Sequence, residues 1–373
     1  MRAGLPVRSV YISANGQAEL AKDAWSRRFI PVQLTAGGRT TGARIRYRGG
    51  HTREYPKKSY EIQLDGGLVL HWNAESDDPS MIRNALSFRF MEQIGVPAPR
   101  TRHVWLDING ETMGLYLEIE AVNSRFFALR NIPYRSLLYA ANDSANFERT
   151  HSDSGGRKQD LSEGYEFMEG DGETISRLCT FIRDIHRQKG DKLRDLLEEY
   201  VDIPAYFNWL SGVVLTGNFD GFEQNYALYE EAGERKYNIL PWDYEGTWGR
   251  NCYGKPCSAG TVRIEGYNGL TRRLLQFPDL KRDYALKLEK MLEEEFTNEQ
   301  VGPVIDELHR RLAPAVRVDS SRFATKSLFS EETLFIRRYM EERKLIILHE
   351  LKRWQGALSS VMPARVRVKG IEG

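Results

Sequence analysis

The sequence predicts an α+β protein of two lobes: a β-rich N-terminal lobe with one helix, residues 1–122, and a helical C-terminal lobe, residues 123–373. Three observations lead there. Alternating apolar and polar residues, stopped by Gly pairs, recur through the first third of the chain. Apolar residues at helical spacing take over later. Oxygen-bearing side chains gather at one hairpin of the second part, residues 218–249.

In chain order, "RRFIPVQLTAGG", "TGARIRYRGG" and "PKKSYEIQLDGG" read as strands. "DPSMIRNALSFRFMEQIG" reads as a helix: Asp78 can cap it, Pro79 fits the first turn, and Gly95 with Pro97 ends it. Met81, Leu86, Phe90 and Ile94 supply its apolar face. "TRHVWLDING" and "TMGLYLEIEAV" follow as strands joined by Asn109-Gly110, a hairpin signal. The expectation is a sheet of about five strands with one helix packed on it.

Residues 140–172, rich in Asn, Ser, Asp and Gly, read as a long surface loop. Ile175, Leu178, Ile182 and Ile185 mark a helix, with Cys179 expected as a small buried residue. "IPAYFNWLSGVVLTGNF" is apolar nearly all round, the mark of a core helix, and Asp202 can cap it. Residues 225–243 form a hairpin around "EEAGER" and are the one sheet-like piece expected in this part. Three long helical stretches follow, the second opening on a Thr297/Gln300 capping box.

The chain has 373 residues, 41% of them hydrophobic and 28% charged, with 53 basic against 52 acidic side chains. A net charge of +1 gives no general attraction to nucleic acid or membrane, so neither is expected as a partner. No run approaches the ~20 apolar residues of a spanning helix, and the first residues lack the apolar stretch of a secretory signal. A cytoplasmic start is the expectation. The seven histidines are scattered and form no HExxH, and three cysteines make neither a disulfide framework nor a zinc site. Cys252 and Cys257 are the one pair close enough in sequence to bridge.

The chemistry-bearing stretch is "NFDGFEQNYALY" with "LPWDYEGTWG". Asn225 and Asp243 lie 18 positions apart, but hairpin closure returns them to one end of the ribbon, since paired strands lie ~5 Å apart. Asp220 falls at the same end. Two acids and an amide with no local cation suit Mg²⁺, with Mn²⁺ as a substitute. They also suit phosphoryl transfer, where one Asp takes the acceptor proton, an Asn and a second Asp hold the metal, and a lysine clamps the nucleotide. The Asp220–Asn225 spacing of five matches that of protein kinases. Asp, Asn and Gly are ordinary turn residues as well, so the combination, not any one member, carries the reading.

A second stretch, "RIRYRGGHTREYPKKSYEIQL", places Arg48, Arg53, Lys57 and Lys58 around a Gly49-Gly50 turn. In an extended chain Lys58 shares a face with Tyr60, Ile62 and Leu64, where its ammonium needs an anion. A nucleotide phosphate would serve. Lys57 points the other way and is expected in water. The competing reading is a wet edge strand guarded by its cations.

"RYRGGHTREYPKKSYEIQL", the stretch from Asp77 to Glu120 and "GNFDGFEQNYALYEEAGERKYNILPWDYEGTWG" together resemble the CotH family, spore coat protein H kinases. The resemblance runs from about residue 28 to 250. It implies an atypical protein-kinase-like fold and ATP- and Mg²⁺-dependent phosphorylation of serines on spore coat proteins in the mother cell, then residence in the coat. Carried over by position, Asp220 resembles the catalytic aspartate, Asp243 the metal aspartate and Asn225 the amide ligand, with Lys58 as phosphate lysine. Arg48 and Arg53 are further nucleotide contacts, and Glu120 is expected beside the base. Glu92, Glu118 and Glu120 are the candidate partners of the lysine. Glu245 stands where many members carry Asp, and Tyr244-Glu245 replaces the Phe-Gly of ordinary kinases. Two other readings stand beside the kinase: a kinase-shaped coat scaffold without turnover, and a Mg²⁺-dependent phosphohydrolase.

Overall fold

The computed structural model describes residues 1–361, side chains of 323, 324 and 357–361 excepted. Its N-terminal part contains β1 (Val7–Tyr11), α1 (Ala14–Lys22), β2 (Ile30–Ala36), β3 (Arg39–Arg48), β4 (Ser59–Leu64), β5 (Val69–Asn73), α2 (Arg83–Gln93), β6 (Thr101–Ile108) and β7 (Glu111–Glu120). The seven strands close into a barrel in the order β1-β2-β3-β4-β5-β7-β6. This corrects the expected five-stranded sheet. The five strands read from sequence are present, but β1 and β5 were missed. β1 closes the barrel by pairing antiparallel with β2 and parallel with β6.

A barrel has an inside. Ile45, Tyr60, Ile62, Trp72, Val104 and Tyr116 fill it, each alternating with an outward neighbour. α2 packs elsewhere. Its Leu86, Phe90 and Met91 join the outer face of β6 and β7 to the helical core. Asp78 lies upstream of the true N-cap Ile82, yet it still accepts from the Arg83 backbone N–H at 2.9 Å.

The second part contains α3 (Ser124–Arg130), β8 (Tyr134–Ala140), β9 (Tyr165–Glu169), α4 (Thr174–Arg187), α5 (Gly190–Tyr200), α6 (Ile203–Thr216), β10 (Tyr226–Glu231) and β11 (Tyr237–Pro241). Then follow α7 (Gly269–Leu275), α8 (Pro278–Glu294), α9 (Asn298–Val318), α10 (Lys326–Phe329) and α11 (Glu332–Val361). The 225–243 hairpin is not alone: it is half of a four-stranded sheet, β11-β10-β8-β9. The predicted 140–172 loop is corrected accordingly. It contains β9, and Ala145 and Phe147 are fully buried. α6 is the core helix expected, with Asp202 accepting from Ala205 N at 3.0 Å. Cys252 and Cys257 are free thiols. No helix among the described residues is long and apolar enough to cross a membrane.

A buried ion network fastens the two parts. Arg83, fully buried, pairs with Asp78 at 2.6 Å and with Glu332 of α11 at 2.6 Å, and donates to Thr247 O at 2.9 Å. Arg250 pairs with the same Glu332, and Arg322 donates to the backbone oxygens of Glu75 and Asp78. Five stretches of the chain thus meet in one network: the segment preceding α2, α2 itself, residues 247–250, Arg322 and α11.

Candidate active site

A cleft of about 790 Å³ lies between the barrel and the four-stranded sheet. Its barrel wall is the outward face of β3, β4 and β5: Arg46, Arg48, Ser59, Glu61, His71 and Asn73. Its opposite wall carries Asp220, Asn225, Trp242, Asp243 and Glu245. The hairpin closes as its sequence requires: Tyr226 pairs with Pro241, and Trp242 N donates to Asn225 O at 3.1 Å. Asp220, Asn225 and Asp243 therefore share one end of the cleft.

That end is densely acidic. Burial raises the Asp220 carboxyl above its usual range; a hydrogen bond from the Cys252 thiol opposes the shift and the Asp243 charge adds to it. Glu245 is driven well up by burial, then by Asp243 and Glu75. Glu75, which the sequence reading passed over, is pushed up to about 8 by burial and by Asp78; hydrogen bonding from Asn84 opposes, and Asp243 adds. Asn84 Nδ2 reaches both Glu75 oxygens, at 3.0 and 3.2 Å, while its Oδ1 accepts from Tyr244 N at 2.6 Å. One amide of α2 therefore ties a barrel acid to the turn that carries Asp243. The signal in the sequence was the acid-dense "ESDDPS" run ahead of the helix.

Glu75, Asn225 and Asp243 have φ of 48°, 59° and 57°, the left-handed region that non-glycine residues seldom occupy. Such backbone persists where surrounding structure enforces it, and it collects at functional sites. Gly246 in the same turn is required by a close approach, for a Cβ there would lie 2.7 Å from Cys252 N.

The donor set fits a hard divalent cation. All donors are oxygens, and like charges crowd one another. Among the described residues no three His, Cys, Asp or Glu side chains converge tightly enough to hold an ion by themselves. A shell completed by an amide, waters and phosphate oxygens is the arrangement Mg²⁺ prefers.

The cationic side of the cleft departs from expectation. Lys58 does share a face with Tyr60 and Ile62, but that face is the barrel interior, not the cleft. Its ammonium donates to Arg53 O and lies 5.9 Å from the Tyr47 ring. The alternation holds, and it turns Lys58 away from the cleft lining. Lys57, expected in water, is partly buried instead and donates to Leu115 O at 2.6 Å and Ser321 Oγ at 3.1 Å. Arg48 does line the cleft, donating to Asn73 Oδ1 and lying 5.4 Å from the Trp242 ring. Arg53 also lines it, but its guanidinium holds the turn, donating to Gly49 O at 2.6 Å and Ala24 O at 3.1 Å.

Glu120 is not a cleft residue. Arg130 holds it at 2.7 and 3.2 Å, and Arg100 N donates to it. Glu118 is held by Arg8, and Glu92 lies 3.9 Å from Arg130, so none of the three partners Lys58. The ion pair on the cleft wall is Arg46–Glu61 at 2.6 Å.

The cleft also has an apolar and aromatic lining: Val69, Ala121, Val122, Tyr139 and Trp242. Trp242 packs on Tyr139 and His71, with centroids 5.0 and 5.2 Å apart. Burial, then Arg48 and Arg46, pull His71 well below its ordinary range, so the ring is neutral, and its Nδ1 is buried with no partner. This lining is shaped for a flat, polar-edged ring. Sequence reading had no signal for it, because Val69, Tyr139 and Trp242 come together only in the fold.

A family profile described as "CotH kinase protein" matches residues 45–347. The chain is 33% identical over 348 residues to "Inner spore coat protein H" of Bacillus subtilis (strain 168), covering 92% of this chain and 96% of that protein. It is 28% identical over 307 residues to the "Inner spore coat protein H-like protein" of the same organism, covering 80% of this chain and 86% of that one. Among solved structures, a Helicobacter pylori proinflammatory kinase, CtkA, aligns at a TM-score of 0.37 and 10% identity, over 85% of this chain and 95% of that one.

Proposed function

The chain belongs to the CotH family, and from that premise we propose that it is a protein kinase of atypical two-lobed architecture. It uses MgATP to phosphorylate serines of spore coat proteins, in the mother-cell cytoplasm and then in the coat. One observation carries the reading: a carboxylate-rich cleft end in which Asp220, Asp243 and Glu245 make no ion pair among the described residues and stand with Asn225 across the cleft from Arg48.

In this reading the adenine lies against Tyr139 and Trp242 and the phosphates run toward the acids. Arg48, not Lys58, meets a phosphate; a guanidinium fork matches phosphate oxygens in two parallel bonds. Asn225 and Asp243 would hold Mg²⁺ or Mn²⁺, whose charge neutralises the β- and γ-phosphates when bound. The acceptor serine oxygen forms a bond to the γ-phosphorus. The bond from that phosphorus to the β–γ bridging oxygen breaks, ADP leaves with the electron pair, and the hydroxyl proton passes to Asp220. The raised affinity of Asp220 for a proton suits that role.

The test is transfer of labelled γ-phosphate to a serine-rich coat protein by wild type, Asp220→Ala and Asp243→Asn. Wild type should label the acceptor, and each variant should lose several orders of magnitude in rate, as loss of transition-state charge stabilisation predicts. Equal labelling by wild type and Asp220→Ala refutes the assignment. A scaffold without turnover would give no transfer and no stabilisation by MgATP, whereas a phosphohydrolase would release phosphate without an acceptor.

A further inference from the structure

A second cavity, about 630 Å³, opens in the helical part, away from the acidic cleft. Three elements build it. Residues 149–158 form a small hairpin: Thr150 bridges Arg157, Lys158 N donates to Arg149 O at 3.0 Å, and His151 N donates to Gly156 O at 2.9 Å. α4 presents Cys179 and Arg183 one turn apart on one face. Residues 159–161 complete the lining.

The charge balance is one-sided. Arg149, Arg157, Lys158 and Arg183 line the cavity against one acid, Asp160. Asp160 is already engaged, accepting from Ser162 N and Oγ at 2.8 and 2.7 Å and from the Cys179 thiol at 3.3 Å. Cys179, expected to be buried, is partly exposed for this reason. Of the neighbouring acids, Glu163 is held by His151 and two backbone N–H groups, Glu148 by Arg272 and His186, and Glu223 by Ser152, while Asp143 acts on Lys158. Lys158 donates to Ser144 O and Asn146 Oδ1. None of the three arginines has a carboxylate partner among the described residues, and Arg183 makes only a 3.4 Å contact to Thr180 Oγ1. In a chain of net charge +1, three unpaired guanidinium groups around one cavity are a concentrated exception.

We propose that this cavity binds a phosphoserine or phosphothreonine side chain of a partner protein. A phosphate monoester brings about −2 charge and three acceptor oxygens, and clustered arginines are the side chains that match it by paired, charge-assisted hydrogen bonds. The site is tied to the cleft. Ser152 of the hairpin donates to Glu223 at 2.6 Å, three residues beyond Asp220. Leu161 of the cavity and Glu166 of the cleft are five residues apart, so they stand within ~18 Å of each other. If the kinase reading of the cleft holds, a substrate phosphorylated at one serine is thereby held for transfer to another a few residues away.

The experiment measures binding of the full-length chain to a fluorescent peptide with one phosphoserine in a Gly/Ala/Ser context, and to its unphosphorylated twin. The phosphopeptide should bind at least about tenfold more tightly. That preference should vanish in the Arg157→Gln/Arg183→Gln variant, whose altered side chains are exposed, and persist in Asp243→Asn. Equal binding of the two peptides, or a preference that survives in the double-arginine variant, overturns the proposal. So does inorganic phosphate or oligouridylate occupying the same arginines more tightly than the phosphopeptide. Failure of phosphoryl transfer with intact phosphopeptide binding counts against the kinase reading alone.

Discussion

Glu75→Gln tests the acidic end of the cleft through stability. The Glu75 carboxyl is fully enclosed, held by Asn84, and faces Asp78 and Asp243. Its folded-state pKa is about 8 against an ordinary 4.5. Between those values the folded chain holds a proton that the unfolded chain releases. The folded state therefore binds more protons, and stability falls as pH rises through that window. The contribution is fully present below the ordinary carboxylate range and gone above the folded value. At ~1.4 kcal/mol per pKa unit the window is worth up to ~5 kcal/mol, an upper bound because protons shared among coupled acids count once. With an unfolding entropy of ~0.8 kcal/mol/K for a chain of this length, that is roughly 6 °C in Tm. The assay is thermal melting of wild type and Glu75→Gln from about pH 5 to pH 9. Wild type should lose Tm relative to the variant as pH rises across this range, because the variant keeps the shape and one acceptor but not the titrating carboxyl. Added Mg²⁺ should stabilise wild type more at the alkaline end, where cation and proton no longer compete. Parallel curves for the two proteins would refute the proton held by the enclosed Glu75 carboxyl.

Three further outcomes follow from particular contacts. Arg48→Gln should weaken binding of a non-hydrolysable ATP analogue, measured by calorimetry, by about tenfold or more, the scale of a lost charge-assisted bond, while Lys58→Gln leaves it unchanged. Glu332→Gln leaves Arg83 and Arg250 facing a neutral group in the interior and should cost ~3–5 kcal/mol in urea unfolding. Burial lowers the Lys57 ammonium to about 7 from an ordinary 10.5, the nearby Asp319 charge opposing, so stability should rise with pH between those values. Lys57→Met should remove that contribution, so the Tm of wild type should gain on that of the variant as the melting series is extended to about pH 10.

Local pattern carried much of this molecule. The three strands ending in Gly pairs, the α6 cap at Asp202 and the closure of the Asn225–Asp243 hairpin each depend on neighbours in sequence, and each formed as its residues dictate. What escaped was non-local. β1 belongs to the barrel through a parallel pairing with β6 about a hundred residues away, and its five residues, "VRSVY", carry little pattern alone. β8 and β9 escaped because the polar chain between them masked a pairing of Leu138 with Phe167. The placement of Lys58 has the same origin. Period-2 alternation states which residues share a face but not which face meets the ligand. In an open sheet the apolar face packs on a partner; in a closed barrel it turns into the lumen, leaving Ser59 and Glu61 on the cleft side.

That inversion explains why the cationic wall is built from arginine. On β3, Arg46 and Arg48 face outward beside Glu61 and Asn73, where a flat guanidinium can satisfy neighbouring acceptors and still present N–H groups to the cleft. An ammonium reaching from the lumen side would first meet backbone carbonyls, as Lys58 does at Arg53 O. From Arg48 the bonding continues through Asn73 to Glu75, and from Glu75 through Asn84 to Tyr244 N beside Asp243. The links are side chains of the barrel, of the segment following β5 and of α2, and only the last meets the turn after β11. The acidic end is therefore positioned from the N-terminal part as much as from the hairpin that carries its aspartates. Substitution of Asn84 should then disturb the cleft's acids more than its distance from any ligand would suggest.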